Sequence, residues 1–252
     1  MRLASLGSGS KGNATLVEGA EGCVLIDCGF SLRQFEQRLE RLQLAPEAIR
    51  ALLVTHEHSD HGSGVAKVAA RYGIPVVTTV GTARCLQLEQ YEAIRGGDEF
   101  CFAGLSVRAV TVPHDAAEPV QFVFEEPASG LRLGVLTDSG HVSDHMIDAY
   151  CELDALLLEF NYDDAMLENG PYPPRLKQRI AGRHGHLSNT QSLGLLQRID
   201  RQRLKRLIAG HLSEKNNRPD IVAGLLRDWQ GSGNPCDTRI ACQQQGFHWV
   251  DI

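Results

Sequence analysis

A chain of 252 residues with 42% hydrophobic and 22% charged residues has an ordinary globular composition and enough length to bury a dry core. No apolar run approaches the roughly 20 residues of a membrane helix, and the opening Met1-Arg2-Leu3-Ala4-Ser5-Leu6-Gly7 lacks a signal peptide's apolar stretch, so a cytoplasmic protein free of membrane is expected. The net charge of −6 argues weakly against nucleic acid until the charges are located: residues 175–218 hold eleven Lys or Arg against two acids, Asp200 and Glu214, a local +9 beside −15 for the remainder. Such a strip beside a cleft would attract DNA or another phosphodiester, although by itself it reads equally well as solvated amphipathic helices. Seven single cysteines with no Cys-x-x-Cys pair read as reduced packing residues.

In chain order, short β-branched-rich runs bounded by Gly, Pro or Asp predict strands at residues 3–6, 14–18 and 23–27. Ser31 then caps a helix reaching Leu42, with Leu32, Phe35, Leu39 and Leu42 at helical spacing. A strand at 51–55 leads to a helix over 61–72, and a strand at 76–79 to a helix over 81–88. Residues 99–137 read as nearly all strand, with runs at 106–112, 120–124 and 132–137. A helix at 143–149, a strand at 155–158, helices at 174–182 and 189–199, a strand at 206–209 and a helix at 218–229 complete the pattern. Strands precede helices in each half, which predicts an α+β fold of two packed mixed β-sheets flanked by helices, with a weak duplication of the halves. Without a linker or low-complexity tract, residues 1–252 are expected to form a single domain.

The chemistry concentrates where the strand at 51–55 ends in Thr55-His56-Glu57-His58-Ser59-Asp60-His61-Gly62. Histidines two apart can turn toward one ion from a strand-end loop, and Asp60 and His61 then point toward a second position. Imidazole and carboxylate donors suit zinc, manganese or iron, and three ligands with an open position mark a catalytic ion. A histidine-rich surface loop is the bland alternative, but polar residues this dense at the end of a buried strand are costly without a partner. Six residues cannot saturate two ions, and further donors stand at other strand ends: His114 after Val112-Pro113, Asp138 after Leu136-Thr137, and His211 after Ala209-Gly210. Strand ends on one side of a sheet converge.

With Asp27, the His56–His61 run, His114, Asp138 and His211 in this order, the sequence resembles the metallo-β-lactamase fold superfamily across nearly the whole chain. The resemblance implies an αββα four-layer sandwich and a binuclear hydrolase. In it His56, His58 and His114 hold one divalent ion, Asp60, His61 and His211 the other, Asp138 bridges them, and Asp27 buttresses the metal loop. It also implies that two ions roughly 3.5–4 Å apart share a hydroxide as nucleophile, with Asp60 orienting it.

Finer features resemble the YycJ/WalJ-like group, related to phosphodiesterases and nucleases: Leu6-Gly7-Ser8-Gly9-Ser10-Lys11-Gly12-Asn13-Ala14, Glu159-Phe160-Asn161-Tyr162-Asp163, Gly185-His186-Leu187-Ser188-Asn189, and Gly210-His211-Leu212-Ser213-Glu214-Lys215-Asn216-Asn217. The inserted domain of about 150 residues that large RNA-processing members carry between Asp138 and His211 is absent, which argues against processive RNA degradation.

His186, just before the expected N-cap Ser188, is a candidate general acid or phosphate ligand. Glu159 and Asn161 end the strand 155–158 on the same rim, and Ser8, Ser10 and Asn13 form a glycine-flanked turn like an anion nest. Ser8, Ser10, Asn13, Ser188, Glu159 and Asn161 are therefore the candidate substrate-binding set, while His141, His145 and His184 receive no role. The leading expectation is a phosphodiesterase or DNA exonuclease. The competitors are a small-molecule hydrolase acting on a thioester or cyclic phosphodiester, and a regulatory protein of cell-wall signalling.

Overall fold

The computed structural model describes residues 1–200, 202–231 and 236–252. The chain runs through β1 (Arg2–Gly7), β2 (Ala14–Gly19), β3 (Gly22–Ile26), α1 (Leu32–Leu42), β4 (Ile49–Leu53), α2 (Ser59–Gly62), α3 (Val65–Tyr72), β5 (Val76–Thr79), α4 (Val80–Leu86) and β6 (Glu92–Ile94). It continues through β7 (Glu99–Phe102), β8 (Leu105–Thr111), β9 (Val120–Glu126), β10 (Leu131–Leu136), α5 (Asp144–Ala149), β11 (Ala155–Glu159), α6 (Asp164–Asn169), α7 (Pro174–Ile180), α8 (Asn189–Arg198), β12 (Arg206–Gly210), α9 (Pro219–Gln230), β13 (Asp237–Ile240) and β14 (Phe247–Asp251).

Strand alternation sorts the apolar residues into layers. In β4 and just beyond it, Ala51 and Leu53 face one side while Leu52 and Val54 face the other. Three apolar clusters result. The central one, with Leu53, Phe122, Phe124, Val135, Leu157 and Ile208, is built almost wholly from strands and lies between the sheets. The second joins Leu25 and Leu52 to Phe35 and Leu39 of α1 and Val65 and Val68 of α3. The third joins Leu156 and Leu207 to Leu195 and Leu196 of α8 and Val222 and Leu226 of α9. Three apolar interfaces make four layers, the expected αββα sandwich.

Each sheet has seven strands, in the orders β14-β1-β2-β3-β4-β5-β6 and β13-β12-β11-β10-β9-β8-β7. In both, the earlier strands pair antiparallel and the later ones parallel: β3, β4, β5 and β6 in the first sheet, β10, β11, β12 and β13 in the second. The two halves thus repeat one plan, as their order of strands and helices suggested. β14 then returns to pair with β1 in the first sheet.

Ser31 caps α1 in a full capping box with Gln34. The helix expected over 61–72 is instead two pieces, α2 and α3, broken at Ser63-Gly64. Gly64 is pressed against the chain leaving β3: its amide donates to the Cys28 carbonyl at 2.8 Å, and a Cβ there would sit 2.0 Å from the Phe30 carbonyl oxygen. β6, β13, β14 and α6, unforeseen in the sequence, are short and largely half-exposed or exposed, so they lack the apolar periodicity that reveals the rest.

Candidate metal centre

The carboxyl ends of β3, β4, β10, β11 and β12, together with the loop after β8, deliver the polar residues to one side of the sandwich. Asp27, Asp138 and His211 follow β3, β10 and β12 with φ of 59°, 54° and 54°, three of the seven non-glycine residues in the left-handed region among the described residues. That conformation costs energy for a side chain with a Cβ and recurs where function requires it. Gly29 lets the β3 end approach the metal loop, since a Cβ there would lie 1.9 Å from the Asp60 carbonyl oxygen.

Partners on the outer nitrogen fix how several rings face inward. Asp27 accepts from the Thr55 amide and hydroxyl, both at 2.8 Å, and from His61 Nδ1 at 2.7 Å, which turns His61 Nε2 into the pocket. The Thr55 hydroxyl gives its proton to Asp27 and accepts from His56 Nδ1 at 2.9 Å. His114 Nδ1 donates to the Gly185 carbonyl at 2.9 Å, and His211 Nδ1 to Glu159 Oε1 at 3.1 Å. This pattern, an outer N–H held and an inner lone pair offered, is how proteins prepare imidazoles for a cation.

Two of the inner atoms lack partners. His56 Nε2 and Asp138 Oδ2 are buried without a hydrogen bond; Asp138 Oδ2 is 3.1 Å from His61 Nε2 but not aligned to accept from it. His58 Nδ1 and His114 Nε2 face each other at 3.2 Å, and His211 Nε2 is 3.5 Å from Asp60 Oδ2. Ligand atoms of His56, His58 and His114 lie within 4.8 Å of one another, as do those of Asp60, His61 and His211, and those of His56, His61 and Asp138. Buried lone pairs converging on shared positions are costly until a cation fills them, and this nitrogen and oxygen donor set fits a divalent metal.

A fourth group, Asp138, Glu159, His186 and His211, has the same compactness but a different character. Glu159 is wholly buried and fully used: Oε1 accepts from His186 Nδ1 at 2.8 Å and from His211, while Oε2 accepts from the amides of Ser139 and Leu187, both at 3.1 Å. It ties two histidines to the sheet and has no lone pair left over for an ion.

Charge follows the same logic. Burial drives protons off His56, whose pKa falls well below the usual histidine range, and off His114, which also falls. Burial acts the same way on His61 and His211 but is outweighed by carboxylates, Asp138 foremost, so His61 rises well above its usual range and His211 rises to about 10. Burial would raise Glu159, yet His186 and His211 bring it down to about 2, and Asp138 is likewise held well below its usual value against burial by His211 and His61. Without a metal, protons on His61 and His211 supply the positive charge the carboxylates require.

His58, Asp60 and His186, with side chains 28%, 22% and 22% exposed, line the open side. Asp115, next to His114 and not singled out from the sequence, stands there too: its Oδ1 is 3.6 Å from His114 Nε2 and 3.8 Å from His58 Nε2, and its Oδ2 takes the Arg179 guanidinium. An acid adjoining a strand-end histidine was the available signal.

The expected substrate-binding set turns inward instead. The Ser8 hydroxyl accepts from the His211 amide at 2.8 Å, and the Asn13 carboxamide lies 3.0 Å from His61 Nε2 and closes the loop through the Gly9 amide at 2.8 Å. The amides of Ser8, Gly9, Lys11, Gly12 and Asn13 already donate to Cys242, Asn13, Gln243, Gly9 and Asp60, so the turn is not an anion nest, and Ser10 is left as an exposed tip. Ser188 is buried as the N-cap of α8, in a capping box with Gln191, and Asn161 donates to the His211 carbonyl at 3.0 Å. His141 and His145 serve the backbone, through the Arg183 and Thr111 carbonyls at 2.9 and 2.7 Å.

The basic segment divides in two. Arg198, Arg203, Lys205 and Arg206 pair with Asp144, Asp154, Asp154 and Asp237, and Arg203 to Arg206 lie at the start of β12, roughly 16 Å along the strand from His211. Arg179 reaches the rim of the centre through Asp115 and Arg183 abuts His141, whereas Arg201 lies outside the described residues. No described helix is long and apolar enough to cross a membrane.

Residues 23–211 match the family described as Beta-lactamase superfamily domain. The chain is 34% identical over 226 residues to the Exodeoxyribonuclease WalJ of Streptococcus pneumoniae serotype 2 (strain D39 / NCTC 7466), covering 86% of this chain and 83% of that one. It is 31% identical over 229 residues to the Exodeoxyribonuclease YycJ of Bacillus anthracis, covering 88% and 86%. The fold is shared with the metallo-beta-lactamase fold protein YhfI from Bacillus subtilis, at a TM-score of 0.72 and 13% identity over 99% of both chains, and with the short form of human tRNase Z, at 0.69 and 20% over 100% of this chain and 99% of that one. The chain therefore belongs to the beta-lactamase superfamily domain family as a WalJ/YycJ-like member, and it is a metal-dependent hydrolase of the metallo-β-lactamase fold.

Proposed function

We propose that this protein is a DNA exonuclease-type phosphodiesterase that works as one unit over residues 1–252 with two divalent ions, zinc, manganese or iron. His56, His58 and His114 would hold one ion and Asp60, His61 and His211 the other, with Asp138 between them. When bound, such a pair lowers the pKa of water toward about 7 and neutralises charge developing on a phosphoryl group. The remaining work belongs to the chain. Asn13 holds Asp60 at the open side, where its carboxylate accepts a hydrogen bond from the attacking water and orients it. His186, fixed through Nδ1 by Glu159, has no protein partner on Nε2 among the described residues. Its pKa is raised because Glu159 and Asp138 outweigh burial, so it carries the proton that the leaving alkoxide needs.

The observation that carries the substrate class is the 34% identity, across 86% of the chain, with a protein named an exodeoxyribonuclease. The test is incubation with manganese or zinc and end-labelled single- and double-stranded DNA, in parallel with bis-p-nitrophenyl phosphate, a cyclic phosphodiester and a thioester. Release of mononucleotides from a DNA end is the expected result. Turnover of the thioester or the cyclic phosphodiester with DNA left intact would replace this reading with a small-molecule one.

A further inference from the structure

The geometry points to Arg179 as the residue that seats a phosphate next to the scissile one, with Arg175 one turn behind it extending the track along α7. This rests on the phosphodiester reading and names which part of the basic segment serves it. The mouth of the centre is lined by acids: Asp60, Asp115 and, deeper, Asp138. A phosphodiester anion approaching them needs a cation at the rim, and among the described residues Arg179 is the one ion-paired to an acid that itself touches two of the candidate ligands, His58 and His114.

Arg179 spends only Nε on Asp115. Its terminal nitrogens have no protein partner among the described residues, and the side chain is 59% exposed. A planar guanidinium with an open edge matches a phosphate's paired oxygens, and Asp115 holds it aimed without consuming that edge. Residues i and i+4 share a helix face, which puts exposed Arg175 on the same side of α7 as Arg179.

The helix is also anchored to the reacting end. The His186 amide donates to the Ile180 carbonyl at 2.9 Å, and His114 Nδ1 to the Gly185 carbonyl at 2.9 Å. Gly185 permits this closeness, for a Cβ there would stand 2.0 Å from the Ile180 oxygen. The phosphate-seating cation and the proposed acid are therefore held on one short, fixed stretch of chain.

The test compares the metal-loaded full-length protein with its Arg179→Ala, Arg179→Lys and Arg175→Ala variants, and with Arg198→Ala as a distant control already paired to Asp144. Binding of a phosphorothioate single strand that resists hydrolysis is measured against salt. Arg179→Ala is expected to weaken binding about tenfold and to flatten the log–log salt slope by about 0.7, Arg175→Ala to weaken it about threefold, and Arg198→Ala less than twofold. On cleavable DNA, Arg179→Ala should raise KM about tenfold while kcat falls less than twofold, and Arg179→Lys should recover part of the loss. The KM for bis-p-nitrophenyl phosphate, which has no neighbouring phosphate, should rise no more than about threefold.

Equal losses for Arg179→Ala and Arg198→Ala would reduce the effect to net charge and overturn the assignment. A fall in kcat without a change in DNA affinity would do the same, by making Arg179 structural. Wild-type protein inert toward both DNA and the diester would remove the phosphodiester reading and this assignment together, whereas an active wild type unaffected by Arg179→Ala removes the assignment alone.

Discussion

The two ends of the parallel strands carry similar charges and use them differently. At the amino end of β12, buried Asp154 accepts from Arg203 at 2.6 Å and from the Arg132 amide at 3.0 Å, and Lys205 stands 3.6 Å away, so its charge is matched. At the carboxyl end, His56 Nε2 and Asp138 Oδ2 are equally buried but have no hydrogen-bond partner. A buried polar group with its partners in place maintains a fold, whereas one left without them states what must come from outside. Here the missing partner is positive and is approached by both nitrogen and oxygen donors.

The sharpest way to break this contrast is the same substitution at both ends. Asp138→Asn is expected to lower kcat/KM by roughly a thousandfold or more and to cut bound metal measured by elemental analysis. Asp154→Asn should cost about 1–3 kcal/mol of stability, less than a fully buried pair because Arg203 and Lys205 are half exposed, with metal content unchanged. Metal loss in the Asp154 variant, or full activity in the Asp138 variant, would erase the distinction.

Glu159→Gln probes the closed cluster beside the open one. At saturating metal, kcat should fall about 10- to 100-fold with the alkaline limb of the pH profile displaced to lower pH, since His186 loses the carboxylate that holds its proton. Thr55→Val removes the hydroxyl between Asp27 and His56, and metal affinity measured by competition with a chelator should weaken about tenfold.

The smallest effect concerns protein stripped of metal. Glu159, depressed to about 2, stabilises the fold fully above its ordinary 4.5 and ceases to do so as pH falls through about 2. His211, raised to about 10, stabilises fully below its ordinary 6.5, and that contribution disappears as pH rises through about 10. Considering these two groups, Tm of the stripped protein should be highest between pH 4.5 and 6.5 and decline on both sides by a few degrees. Added metal should displace the His211 proton, release it to buffer and abolish the alkaline decline. An alkaline decline identical with and without metal would count against His211 as a ligand.

What could be read from the sequence depended on how local the signal was. The His56–His61 run, with His114, Asp138 and His211 at strand ends, was legible because apolar strands announce where they stop. Ser8, Asn13, Ser188 and Asn161 were recognised as belonging near the centre, and the structure shows the protein groups to which they hydrogen-bond there. A glycine-flanked polar turn looks the same whether its amides face a ligand or, as here, Cys242, Gln243 and Asp60, which are distant in sequence. Asp115 and Arg179 form a pair across 64 positions that no spacing rule reveals. The basic segment looked continuous in one dimension, while the fold sends Arg203, Lys205 and Arg206 to the far end of β12.

The most direct test is a crystal grown with manganese or zinc and measured on both sides of the metal absorption edge. The account predicts two anomalous peaks, one among His56, His58 and His114 and one among Asp60, His61 and His211, with Asp138 between them. A single peak elsewhere, or none with these side chains hydrogen-bonded to one another instead, would contradict it.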